Sequence, residues 1–119
     1  LAAGTCLMRA SVGDIIATDG GTEFMAALYA ECVAVAAAAG QAIPEKARDI
    51  ALGALTQAGS DVKASMLRDL EATQRVEAAH IVGDMLHRAH DAGIKAPLLS
   101  VAWSHLQTYE SGLRNLSVK

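Results

Sequence analysis

The sequence predicts an all-α fold: a single bundle of about five or six helices, with no sheet. Three observations carry that expectation. Apolar residues recur at helical spacing along most of the chain. No stretch alternates with period two for long enough to make a strand. Breakers at Thr18-Asp19-Gly20-Gly21, Gly40, Gly59-Ser60-Asp61 and Gly93 divide the chain into helix-sized pieces.

Leu1 to Ala17 reads as the end of a helix, with Leu7, Ala10, Ile15 and Ile16 as its apolar contacts. After the first breaker, Thr22 is placed to cap a second helix, with Glu23 in its positively polarised first turn. Phe24, Ala27, Leu28, Cys32 and Val35 set that helix's spacing, and Gly40 ends it where a left-handed residue is wanted. Pro44 suits the first position of a third helix, followed by Glu45, with Ile50, Leu52 and Leu55 as its buried stripe. A short helix is expected around Ser65 to Glu71, then a longer one from Thr73 or Gln74 through Ala92, stopped by Gly93. Pro97 opens the last helix, carrying Leu98, Val101, Ala102, Leu106 and Tyr109, and the polar tail from Ser111 is expected to fray. Gly53 and Gly83 fall inside helices, where each costs roughly 1 kcal/mol; close approach of a neighbouring helix or another domain would explain them.

With 119 residues there is room for one domain. The hydrophobic share is 52%, and the mean hydropathy is +0.26, so more apolar surface is present than a small globule needs to hide. That implies a partner surface, either another domain or a second copy. A formal charge of -3 and 3% aromatics give neither the basic patch nor the stacking platform of a nucleic-acid binder. The longest apolar run, Cys32 to Gly40, falls well short of the roughly 20 residues a bilayer requires, so no membrane partner is expected. Cys6 and Cys32 belong to no paired motif and read as reduced, packed thiols of a cytoplasmic protein. The opening at Leu1, inside a helical pattern, reads as part of a longer protein.

The stretch from Ser65 to Glu77 is the most informative for chemistry. Ser65 stands at the start of a short helix, beside free backbone N–H groups that suit a substrate carboxylate. Glu77 stands in the first turn of the next helix, where the dipole favours a carboxylate. On pattern alone, Ser65 is a cap and Glu77 a solvated acid. His80, Asp84 and His87 share one face of the same helix at metal-ligand spacing, but alone they mark a polar face, and no metal is expected.

Ser65-Met66-Leu67-Arg68-Asp69-Leu70 resembles the S-M-x-x-D-[LI] segment of the ketopantoate reductase (2-dehydropantoate 2-reductase) C-terminal domain, and Glu77 matches the glutamate that follows twelve residues on. Gly83 and the loop Gly93-Ile94-Lys95-Ala96-Pro97 match later landmarks, and Thr5-Cys6-Leu7-Met8-Arg9-Ala10-Ser11-Val12-Gly13 resembles the domain's first helix and turn. The resemblance implies a helical domain like those of 6-phosphogluconate-dehydrogenase-like reductases, spanning residues 1–119, that closes over a substrate held against NADPH by an N-terminal Rossmann domain. Carried over, it makes Ser65 the contact for the substrate carboxylate, Glu77 the catalytic-site acid, and Thr5 the counterpart of a substrate-contacting asparagine. It also implies a 2-oxo acid substrate and a cytoplasmic enzyme, with a homodimer as one arrangement.

The sequence departs from the family in two places. The family's lysine, which helps protonate the carbonyl oxygen, falls just upstream of Leu1, and neither Lys46 nor Lys63 takes its place. The T-E-I-D-x-x-N-G pattern around the glutamate has Val76, Ala79 and Val82 where the family has threonine, aspartate and asparagine, which bears on which 2-oxo acid is taken. With no G-x-G-x-x-G unit and no lysine, the chain alone is expected to be inert. The competing reading is a stand-alone helical dimerisation or interaction module that shares the fold; a third is a small metal-binding protein built on His80, Asp84 and His87.

Overall fold

A computed structural model describes residues 1–64, 67, 68, 71 and 79–118, and all regular structure among them is helical. The helices are α1 (Ala2–Met8), α2 (Val12–Ile16), α3 (Gly21–Ala38), α4 (Glu45–Leu55), a π-helical turn (Ala79–Gly83), α5 (Asp84–Asp91) and α6 (Pro97–Val118). The predicted fold class is the one observed.

The single helix expected over the first seventeen residues is two. Arg9 turns left-handed (φ 53°) and ends α1. Ser11, in extended backbone, then caps α2 by accepting the Asp14 N–H on its hydroxyl. The serine and the acid three residues later carried this signal in the sequence. Thr22 does not cap α3: that helix starts one residue earlier, behind Gly20 in the left-handed region (φ 78°), while Glu23 does sit in its first turn. Gly40 and Gly93, both at positive φ, follow the ends of α3 and α5 as expected. Leu67, Arg68 and Glu71 are helical, in keeping with the short helix expected there, and Thr73 and Gln74 lie outside the described residues. The polar tail does not fray, because α6 runs on to Val118.

α3 is the hub, packing on α2, α4, α5 and α6. Its 18 residues and mean hydropathy of 1.3 make it long and apolar enough to cross a bilayer, although Glu23 and Glu31 interrupt its apolar runs. Within this chain 22% of it is buried. Leu28 and Val35 enter the main core with Cys6, Leu67, Val82, Leu86, Ala89, Leu99, Ala102 and Leu106. Met25 enters a smaller core with Val12 and Ile15, and Phe24 packs against both.

Two predicted stripes need correction. α4 buries none of its residues, and Ile50 is 67% exposed, because α4 lies against one flank of α3. In α6, Val101 faces out at 54% exposure while Leu99 takes the core position beside Ala102 and Leu106. Of the two internal glycines, Gly83 has the predicted neighbour: a Cβ there would stand 3.0 Å from the Trp103 ring. Gly53 faces open space.

Candidate active site

The segment leading to Ser65 is seated on the corner between α1 and α2. The first two amides of α2 have no partner within their own helix. Val12 N–H donates to the Val62 carbonyl at 3.0 Å, and Gly13 N–H to the Ser60 carbonyl at 2.8 Å. Gly13 permits this approach, since a Cβ would lie 2.6 Å from both the N and O of Ser60. The third tie is a side chain. Thr5 Oγ1 accepts the Ala64 N–H at 3.3 Å and donates to the Leu1 carbonyl at 2.9 Å. Thr5 is wholly buried, so its hydroxyl faces the protein's own backbone. Just past Ser65, Leu67 is also wholly buried and enters the main core. Lys63 and Glu71 pair at 3.2 Å on the outer surface, bracketing the same stretch.

Of the three residues assigned to the site by sequence, Thr5 is therefore brought next to the chain entering Ser65. Ser65 and Glu77 themselves lie outside the described residues.

Downstream, the π-helical turn presses its last residue, Gly83, against Trp103 of α6. Val82, where the family has asparagine, is buried in the main core. It also lines a cavity of about 180 Å³ with Leu1, Leu28, Cys32, Met85 and Leu99. Among the described lining residues there is no Asp, Glu, Lys, Arg or His. Burial pushes the Cys32 thiol above its ordinary value, and Glu31 adds to the shift. Cys32 is thus a neutral thiol at physiological pH, and neither it nor Cys6 is in a disulfide.

Asp84 and His87 are exposed on α5, and the side chain of His80 lies outside the described residues. Among the described residues no three His, Cys, Asp or Glu side chains come together to hold a metal.

Sequence reasoning missed Glu31. Its carboxylate accepts from Leu98 N–H and Leu99 N–H, both at 3.0 Å, and so caps the first turn of α6 from α3. The donors are 67 and 68 residues away, and no local pattern could have joined them.

The family model described as ketopantoate reductase PanE/ApbA, C-terminal, matches residues 1–110. The chain belongs to the ketopantoate reductase family. Among curated relatives, an uncharacterized oxidoreductase, YkpB of Bacillus subtilis (strain 168), is 29% identical over 107 residues, covering 90% of this chain and 35% of the relative. Solved ketopantoate reductases share the fold. A dimeric ketopantoate reductase from Staphylococcus aureus matches with a TM-score of 0.80 at 23% identity, over 93% of this chain and 39% of that one. A PanE/ApbA family ketopantoate reductase from Ralstonia eutropha JMP134 matches with a TM-score of 0.81 at 23% identity, over 95% of this chain and 38% of that one. The chain thus spans well under half the length of these relatives, and its match is to the family's C-terminal part.

Proposed function

We propose that this chain is the substrate-side domain of an NADPH-dependent reductase of 2-oxo acids, with 2-dehydropantoate, reduced to pantoate, as the first candidate substrate. The observation that carries the reading is the family match over residues 1–110, which includes both Ser65 and Glu77.

The residues of this chain do not by themselves fit a dinucleotide. The sequence has no glycine-rich phosphate turn, and no strand feeds a helix start among the described residues. Cofactor binding is therefore assigned to an N-terminal Rossmann domain, the chain's first expected partner. The cofactor's contribution is a hydride for the carbonyl carbon. This chain's contribution is to hold the 2-oxo acid. Ser65 donates a hydrogen bond to the substrate carboxylate, Thr5, wholly buried, supports the chain that leads to it, and Glu77 is the acid that holds the reacting groups in line. That neither Cys6 nor Cys32 is in a disulfide suits a cytoplasmic enzyme.

The test is NADPH oxidation by the full-length gene product with 2-dehydropantoate and other 2-oxo acids. Turnover is expected, with Ser65→Ala raising KM and Glu77→Ala lowering kcat. Loss of transition-state stabilisation of about 2–4 kcal/mol is the scale for removing one such group. No turnover with any 2-oxo acid would sink the reading, as would turnover by the 119-residue chain alone.

One observation favours a second reading, an interaction module. Ile50, Val101 and Ile81 are each more than half exposed, which leaves apolar surface for another domain or a second copy. Light scattering on the full-length product separates a homodimer from a monomer.

A further inference from the structure

We infer that Thr5 is a positioning residue: its buried hydroxyl fixes the backbone of Ala64, one residue before the serine that the functional reading sets against the substrate carboxylate. This inference rests on the functional reading above, because it assigns Thr5 a role through Ser65.

The hydroxyl of Thr5 has one hydrogen and two lone pairs. The hydrogen goes to the Leu1 carbonyl, one turn back along α1. That bond fixes the rotor and turns a lone pair toward the Ala64 N–H. Ala64 is itself buried, so its amide has no water to fall back on once the hydroxyl is gone. The same segment is held by two backbone bonds from α2 and by the close contact at Gly13. Among the described residues Thr5 is the only side chain in these ties, and its partner is adjacent in sequence to Ser65. Valine at this position would keep the shape and burial while removing both bonds. Serine would keep both bonds while removing a methyl.

A residue that touched the substrate directly would need an open hydroxyl, and Thr5 has 0% exposure. A residue of purely structural value would, when altered, weaken the fold without selecting one substrate over the other. A positioning residue predicts a third pattern, in which binding of the 2-oxo acid suffers and binding of NADPH does not.

The experiment compares Thr5→Val and Thr5→Ser in the full-length gene product. It uses amide hydrogen exchange over the peptide spanning residues 60–67 and steady-state kinetics with 2-dehydropantoate. In Thr5→Val, exchange in that peptide is expected to accelerate at least about tenfold while α3 peptides stay as protected as before. KM for the 2-oxo acid should rise roughly 10- to 100-fold, the scale of one unsatisfied buried amide. KM for NADPH and kcat should stay within about twofold. Thr5→Ser should restore both exchange and KM. Unchanged exchange in Thr5→Val would overturn the inference. So would faster exchange with an unchanged KM, or an equal rise in KM for NADPH. Where Thr5→Val does not fold, Gly13→Ala strains the same seat from α2 with Thr5 intact. It should raise KM for the 2-oxo acid alone, and failure to do so overturns the inference. If the unmodified protein reduces no 2-oxo acid, the functional reading falls, while the exchange data still decide whether Thr5 holds the segment.

Discussion

α4 and α6 carry similar apolar patterns in sequence and end in opposite situations. α6 places Leu99, Ala102 and Leu106 in the main core and has its first turn capped by Glu31 from α3. α4 lies on one flank of α3 and buries no residue fully: Leu55 is half-buried against the smaller core, and Ile50 points away. Helical spacing shows that a helix has an apolar side, but only the number of neighbours decides whether that side is used. α6 meets α1, α3, α5 and the π turn, whereas α4 packs mainly on α3.

The contrast can be broken by truncation. Leu106→Ala should cost about 2–5 kcal/mol of unfolding free energy, as a large side chain lost from a packed core. Ile50→Ala should stay within about 0.5 kcal/mol, as an exposed position. Urea denaturation of the two variants measures both. Equal losses would mean that α4 is buried in solution, against a partner or a second copy. A smaller effect is expected at the cap: Glu31→Ala leaves two α6 amides without an acceptor and should cost about 1–3 kcal/mol. A loss much below that range would mean that water replaces the carboxylate. The smallest effect concerns Cys32, whose raised pKa ties stability to pH. The folded state keeps the thiol proton after the unfolded state has released it. The contribution is therefore full below the ordinary thiol range and is lost as pH rises through the folded value. Cys32→Ala should flatten the alkaline decline in stability, and an unchanged slope would remove Cys32 as a cause.

The helical class, most boundaries and the glycine stops were legible because they depend on local chemistry. The Ser11 cap was equally local, but it was masked by the apolar spacing that runs across it from Leu7 to Ile16. The assignment of Ile50 and Val101 to the core failed for another reason: periodicity cannot show which face meets a neighbour. The site was read as residue types in order along the Ser65-to-Glu77 stretch, both ends of which lie outside the described residues. What the sequence could not show is how it is held. Thr5 reaches Ala64 across 59 residues, and Glu31 reaches Leu98 across 67. Pairings of that range are products of the fold and leave no periodic trace.

The π turn at Ala79–Gly83 fits one more residue into its hydrogen-bonded ring than an α-turn does. Removing a single residue there would let the ladder close as ordinary helix. Everything on its amino-terminal side would then rotate by about 100°, the angle of one residue in 3.6. A one-residue deletion in this turn is therefore equivalent to re-aiming all that precedes it. Chain length through the turn therefore sets the direction in which the helix leaves the contact between Gly83 and Trp103.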